Sequence, residues 1–164
     1  MKHIKSLSAF CLFLIISSAL FIGCKKDDGI PDPKAVQTAN PLMEVASLKQ
    51  MEKYLDFTVP VLDKEVDQYI VLVIDGYPSM GRIQYVDGGI FNIQYGTGDI
   101  SGIYGGTYEK LIVVGGPHVS FYSYEDTYYA IWEDNGFTHS LSNDNLKLLE
   151  REVSELLLDY VPWK

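Results

Sequence analysis

Residues 118–142, HVSFYSYEDTYYAIWEDNGFTHSLS, decide the fold because they contain three strand-like runs separated by two tight turns. The dipeptides Glu125-Asp126 and Asn135-Gly136 interrupt runs that are rich in aromatic and β-branched residues. Asn-Gly accepts the positive φ angles of a two-residue hairpin turn, and so short a connection leaves no room for a crossover helix. The stretch therefore predicts an antiparallel meander of strands over 119–124, 127–133 and 137–142.

The turn spacing also predicts which side chains share a face of this meander. Two-residue turns place Tyr122 opposite Tyr129, and Ser120 opposite Ile131, on a face that carries Tyr, Ser and Thr side chains. The other face carries a largely apolar set of residues: Val119, Phe121, Ala130, Trp132, His139 and Leu141. Because successive residues of a strand point to opposite faces, we expect the apolar set to meet the helices.

Four residues of the Tyr-bearing face form the candidate binding face: Tyr122, Tyr124, Tyr129 and Ile131. A tyrosine combines an apolar ring with a polar hydroxyl, which suits a glycan, peptide or protein partner. The same residue types are preferred on any solvated antiparallel sheet, so an ordinary sheet surface is the alternative interpretation.

Four more strand-like runs and two helices complete the predicted domain. The additional strands cover residues 69–74, 82–86, 90–95 and 110–114. Ser47 and Gln50 form a capping box that opens a short helix over 47–56. A longer amphipathic helix begins after Asn143 or Asp144 and ends before Pro162. Its apolar face consists of Leu146, Leu149, Val153, Leu156, Leu157 and Tyr160. We expect residues 41–164 to form one α+β domain, an antiparallel sheet of six or seven strands with both helices on one face.

The first 23 residues have the pattern of a bacterial signal peptide. Lys2 and Lys5 precede an uncharged stretch of 18 residues, which is also long enough for an uncleaved membrane anchor. Phe21-Ile22-Gly23-Cys24 resembles the lipobox of bacterial lipoproteins, in which the cysteine thiol accepts diacylglycerol. We therefore expect residues 1–23 to be a lipoprotein signal peptide and Cys24 to carry lipid, including palmitate.

Residues 24–40 are predicted to be a lipidated tether. The segment contains Pro31 and Pro33, followed by small and polar residues, which is typical of a linker. Lys25-Lys26-Asp27-Asp28 resembles the short export signal of surface-exposed lipoproteins from one Gram-negative group. A solvated charged tether on a protein that stays in the periplasm is the alternative.

Charge and cysteine content exclude several classes of protein. The leader carries two lysines and no acidic residue, so the net charge of −9 becomes −11 when it is removed. So acidic a domain repels a phosphate backbone, which excludes nucleic acid as a partner. Cys11 and Cys24 are the only cysteines, so the predicted domain has no thiol for a disulfide, a zinc ribbon or thiol catalysis.

No catalytic motif, metal site or cofactor site is predicted. The chain lacks a nucleophile elbow, a P-loop and a zinc-protease helix. His118, which the register places opposite Glu133, and His139 point to opposite sheet faces and cannot share a metal ion. Hairpin turns account for the acidic, glycine-bearing loops at Asp75-Gly76 and Asp87-Gly88.

Several segments resemble an uncharacterised bacterial family, domain of unknown function 4367. They are the opening helix 47–57, the motif Asp99-Ile100-Ser101-Gly102, the step Tyr108-Glu109 and the Trp-bearing strand and turn at 129–137. The resemblance covers about residues 44–158. Members resemble lipoproteins and the outer portions of membrane-tethered regulators, and the resemblance implies no enzymatic activity and no catalytic residues.

These observations predict a lipid-anchored protein of the cell envelope, positioned outside the cytoplasm, with a non-catalytic binding or structural role. Its expected partners are the membrane, through the lipid on Cys24, and an envelope component, glycan, peptide or protein. Two alternatives remain open. One is a hydrolase or metal-dependent enzyme that uses Asp87, Asp99 and Glu133, and the other is a carrier of a lipid or apolar ligand between helix and sheet.

Overall fold

An eight-stranded antiparallel sheet organises residues 41–113 and 116–159, the part of the chain that the computed structural model describes. The elements in chain order are β1 (Leu42–Val45), α1 (Leu48–Leu55), β2 (Val66–Ile74), β3 (Tyr77–Tyr85), β4 (Ile90–Tyr95), β5 (Thr107–Val113), β6 (His118–Tyr124), β7 (Thr127–Asp134), β8 (Phe137–Asn143) and α2 (Leu146–Asp159). Signal peptide 1–23, tether 24–40 and Cys24 lie outside the described residues, as do Tyr160 and Pro162.

The order of strands across the sheet is β1-β2-β3-β4-β8-β7-β6-β5. The last strand of the meander, β8, therefore lies between β4 and β7. After β4, the chain has to cross from the middle of the sheet to its far edge before it returns as a meander. Residues 96–106 make this crossing, and they are rich in glycine.

The predicted α+β class and antiparallel sheet are confirmed, but the prediction of six or seven strands is wrong. The missed strand is β1, whose four residues alternate between exposed and buried, with Met43 and Val45 inside. So short a run acquires its stability from pairing with β2, which sequence periodicity does not show. β3 also begins at Tyr77 and not at Arg82, because Pro78 is tolerated next to an irregularity in the β2–β3 register.

The C-terminal meander has the predicted register, although the β6–β7 pairing ends at Ser120 and Ile131 and does not reach His118 and Glu133. Tyr122 pairs with Tyr129, and Ser120 pairs with Ile131. Asn135 and Gly136 have φ angles of 50° and 82°, the left-handed conformation that a two-residue turn of this kind requires.

The two helix starts show local capping. Ser47 Oγ accepts a hydrogen bond from the Gln50 backbone N–H at 3.3 Å, as predicted. The Gln50 side chain caps the Ala46 N–H, one residue earlier than the capping box predicts. The cap of α2 is Asn145, whose Oδ1 accepts from the Leu148 N–H at 3.2 Å, and not Asn143 or Asp144.

The core lies between the helices and one face of the sheet. α1 packs against β1, β2 and β3, whereas α2 packs against β7 and β8. The apolar residues predicted to meet the helices are buried there with the inner face of α2: Val119, Phe121, Ala130, Trp132, Leu141, Leu149, Val153, Leu156 and Leu157. Gly81 allows α1 to approach, because a Cβ at that position would lie 2.8 Å from Leu55 Cδ1.

One charged residue of α2 is buried at the margin of this core. Glu152 is 2% exposed, and its Oε1 accepts a hydrogen bond from Lys64 Nζ at 2.6 Å. Lys64 Nζ also lies 2.5 Å from Asp87 Oδ2, in the β3–β4 turn. Burial lowers the pKa of Lys64, but the hydrogen bonds and charges of Asp87 and Glu152 outweigh this effect and raise it. We call Lys64, Asp87 and Glu152 the Lys64 ion triad.

The Lys64 ion triad predicts an asymmetry in stability. Replacing Lys64 by Met leaves the Glu152 carboxylate buried without its cation, which we expect to lower the free energy of unfolding by about 3 kcal/mol. Replacing Lys64 by Met and Glu152 by Leu together removes both charges, so the double variant should lose less stability than the Lys64→Met variant. Urea unfolding followed by circular dichroism measures both values.

The control is Arg151→Ala, which removes the exposed Arg151–Glu155 ion pair of the same helix. Its effect should stay within about 0.5 kcal/mol. A double variant that is less stable than Lys64→Met would contradict this account of the triad.

Candidate binding groove

The sheet face opposite the helices, here called the open face, carries transverse rows of paired residues. One row runs through Tyr108, Tyr122, Tyr129, Ser142 and Ile90, on β5, β6, β7, β8 and β4. The next row runs through Leu111, Ser120, Ile131, Ser140, Asn92 and Arg82. Three tyrosines on three neighbouring strands are therefore adjacent on this face, and the next row along the strands contains both polar and apolar residues.

Residues 96–106 cross this open face and are held there by side chains of the sheet. The Ile100 carbonyl oxygen accepts hydrogen bonds from Asn92 Nδ2 at 3.4 Å and Ser140 Oγ at 3.5 Å. Thr138 Oγ1 donates to the Gly96 carbonyl oxygen at 2.7 Å. Asn92, Thr138 and Ser140 are buried, although strand alternation alone suggests solvent-facing positions. Carbonyl groups of the crossing segment thus accept hydrogen bonds from the polar side chains that the segment buries.

The crossing segment leaves part of β6 and β7 uncovered, and two adjoining cavities lie there. The first has a volume of about 730 Å³ and the second about 430 Å³, and both are lined by Tyr122, Ile131 and Glu133. Gly98, Gly105 and Gly106 of the crossing segment line the second cavity. We call the two cavities together the open-face groove.

The structure brings together half of the candidate binding face in this groove. Tyr122 and Ile131 line it, and the ring of Tyr122 packs edge-on against Tyr108 with a centroid distance of 5.7 Å. Tyr129 is the paired neighbour of Tyr122, and Tyr124 lies at the end of β6 with 40% exposure; neither lines the groove. Sequence patterns single out Asp99 as a site residue only for the enzyme alternative and Thr138 not at all, because the contribution of each to the groove depends on the path of residues 96–106.

The groove is acidic. Its lining includes Asp99, Glu133 and Asp134, whereas its described lining residues include no Lys or Arg. Asp99 Oδ1 accepts hydrogen bonds from the Ser101 backbone N–H and hydroxyl, at 2.8 and 2.6 Å. Asp134 accepts from Asn135 Nδ2 at 2.9 Å. Within residues 41–113 and 116–159, none of the three carboxylates forms an ion pair.

The three acids of the enzyme alternative are divided between two places. Asp99 and Glu133 line the second cavity, but Asp87 belongs to the Lys64 ion triad. The Lys64 cation and the Gly89 N–H outweigh desolvation and lower the pKa of Asp87. The described residues contain no group of three or more His, Cys, Asp or Glu side chains that could hold a metal ion.

The two histidines of the predicted domain have different surroundings. His118 is exposed and lines the first cavity of the groove. His139 is buried in the core on the other face, with its ring stacked on Trp132 at 5.0 Å between centroids. Its Nδ1 has no hydrogen-bond partner in the part of the chain that the structure describes. Burial lowers the pKa of His139 to about 4, against a smaller raising effect of the Trp132 backbone.

Comparison with family models, curated proteins and solved structures found no match to this chain. Among the described residues, no helix has the length and apolar character needed to span a membrane.

The neutral, buried His139 predicts a loss of stability in acid. Its pKa is about 4 in the folded protein, whereas the ordinary value is 6.5, so between these pH values only the unfolded chain binds the proton. The effect of His139 on the free energy of unfolding does not change with pH above 6.5. As the pH falls from 6.5 toward 4, the free energy of unfolding should decrease by about 3 kcal/mol. Replacing His139 by Phe should reduce this acid loss, as measured by urea unfolding at several pH values.

The matched control is His118→Gln, which removes an exposed histidine and leaves the core unchanged. If the His139→Phe protein and the His118→Gln protein lose the same stability between pH 7 and pH 4.5, the role assigned to His139 is wrong.

Proposed function

We propose that this protein is a membrane-anchored bacterial lipoprotein whose domain acts as a non-catalytic binding module outside the cytoplasm. In this proposal, Cys24 carries the lipid, residues 24–40 are the tether, and the open-face groove receives the ligand. The protein would occupy the cell envelope, in keeping with the resemblance of residues 44–158 to domain of unknown function 4367.

The observation that carries the binding proposal is the crossing segment over the open face. Residues 96–106 are fixed across this face by hydrogen bonds from buried side chains, so they form a wall of defined position. The resulting groove has one wall above the sheet and a floor that contains Tyr122 and Ile131. Its larger cavity, about 730 Å³, is within the range of about 300–1,000 Å³ that is common for ligand sites.

The hydrolase alternative has one supporting observation, because Asp99 and Glu133 line the same cavity. General acid–base catalysis requires both groups to reach one reacting bond with matched protonation states. The Asp99 carboxylate accepts hydrogen bonds from Ser101 in its own loop, which favours a role in shaping the crossing segment.

The carrier alternative requires space for a ligand between helix and sheet. Core side chains on that side of the sheet are fully buried, with 0% exposure for Met51, Leu149 and Val153, which does not favour this alternative.

The lipid anchor can be tested directly, because Cys11 provides a matched control for Cys24. Cells that produce the full chain are fed an alkyne analogue of palmitate, and the purified protein is coupled to a fluorophore. We expect the wild-type and Cys11→Ala proteins to be labelled and to sediment with membranes. The Cys24→Ala protein should be unlabelled. Equal labelling of the Cys24→Ala protein would refute lipidation at this residue.

The groove can be tested by filling it with a long side chain. Ile131→Arg should abolish binding to those spots of a mixed glycan and peptide array that retain the wild-type chain. The control is Ile74→Arg, the same substitution at a 51% exposed position at the end of β2, outside the groove. Thermal unfolding checks that both variants are folded.

The proposal fails if the array binds both folded variants as it binds the wild type, or if it retains no wild-type protein. Selective loss with Ile131→Arg supports the groove as the binding site.

A further inference from the structure

The unpaired carboxylates of the open-face groove indicate the charge of its ligand. Asp99, Glu133 and Asp134 line the groove without a cationic partner among the described residues. A phosphate or carboxylate ligand would be repelled here, whereas a cationic one gains from the local charge and from the acidic domain as a whole.

The distribution of the carboxylates over both cavities favours several positive charges over one. Asp134 lines the first cavity, Asp99 lines the second, and Glu133 lines both. These residues do not form a group that could hold one metal ion. A ligand that extends through both cavities can therefore meet these carboxylates with several cationic groups.

The floor of the groove suits lysine and arginine side chains. Tyr122 lines both cavities, and the faces of tyrosine rings attract ammonium and guanidinium groups. Ile131 beside it offers an apolar surface for the methylene stem of such a side chain.

The shape of the groove suits an extended chain. Its lining follows β6 from His118 to Tyr122, five residues that span about 13 Å at the rise of a strand. The wall presents Gly105, where a Cβ would have no heavy atom of the described residues within 4 Å, so a ligand backbone can approach the protein backbone closely.

We infer that the open-face groove binds an extended peptide segment that carries several lysine or arginine side chains. This inference rests on the groove being the binding site proposed above, and it specifies the ligand class. The carboxylates pair with the basic side chains of the ligand. Tyr122 contacts their cationic groups, Ile131 contacts their methylene stems, and the glycine-bearing wall lies along the ligand backbone.

The test uses fluorescence anisotropy with the full chain, purified in mild detergent, and three fluorescein-labelled probes. The probes are the peptides KSKSKSKSK and ESESESESE and the neutral tetramer of N-acetylglucosamine. We expect the lysine peptide to bind on the order of tenfold more tightly than the glutamate peptide, with an affinity that falls as salt is added. The double variant Asp99→Asn with Glu133→Gln should lower the affinity for the lysine peptide by about tenfold.

The matched control is Glu44→Gln with Asp75→Asn, which removes the same net charge from β1 and the β2–β3 turn. It should change the affinity for the lysine peptide by less than about twofold. Asn at position 99 keeps the side-chain oxygen that caps Ser101, so the crossing segment should retain its local structure.

Three outcomes would overturn the inference. If both double variants weaken the lysine peptide equally, the attraction belongs to the acidic domain and not to the groove. If the tetrasaccharide binds, and only Ile131→Arg abolishes it, the ligand class is wrong while the proposed function stands. If the lysine peptide does not bind, the inference fails, and the array in the preceding section decides the proposed function separately.

Discussion

The position of β8 between β4 and β7 is the constraint on which the rest of this structure depends. Because β8 occupies the place beside β4, the chain that leaves β4 must reach the far edge of the sheet before β5 can form. That path lies over the open face, and the crossing residues 96–106 then require partners for their backbone. Asn92, Thr138 and Ser140 provide them. The buried polar residues and the groove wall both follow from this one topological choice.

The two sheet faces are therefore closed by different interactions. On the helix side, aliphatic and aromatic side chains exclude water, and the histidine stacked on Trp132 is neutral there because a charge would be costly. On the open side, hydrogen bonds hold a segment that contributes little apolar surface apart from Ile100, which is 9% exposed. Hydrogen bonds are directional, so this side fixes the path of the backbone, whereas the helix side provides most of the hydrophobic stabilisation.

Sequence patterns predicted the features that depend on neighbouring residues. The turn at Asn135-Gly136 and the pairing of Tyr122 with Tyr129 follow from local backbone preferences and the two-residue period of a strand. The features that depend on distant partners were not predictable in this way. β1 needs β2, burial of Thr138 needs the crossing segment, and burial of Glu152 needs Lys64, which is 88 residues away. The pairing of strands brings Tyr122 and Ile131 of the candidate face into the groove, whereas the wall comes from residues 96–106, whose path local patterns do not show.

The contrast between the two acidic regions bears on how the groove can work. Glu152 is buried, so the fold must provide Lys64 in the same structure, and the pair contributes to the position of α2. The groove carboxylates are open to water, which solvates them at little cost, so the fold is stable without a bound cation. A ligand must displace that water, and each charge pair at such a surface gains only modest free energy. Binding of the proposed basic ligand would therefore be weak per contact and sensitive to salt. With the proposed lipid anchor, many copies on one membrane would raise the overall affinity through multivalency.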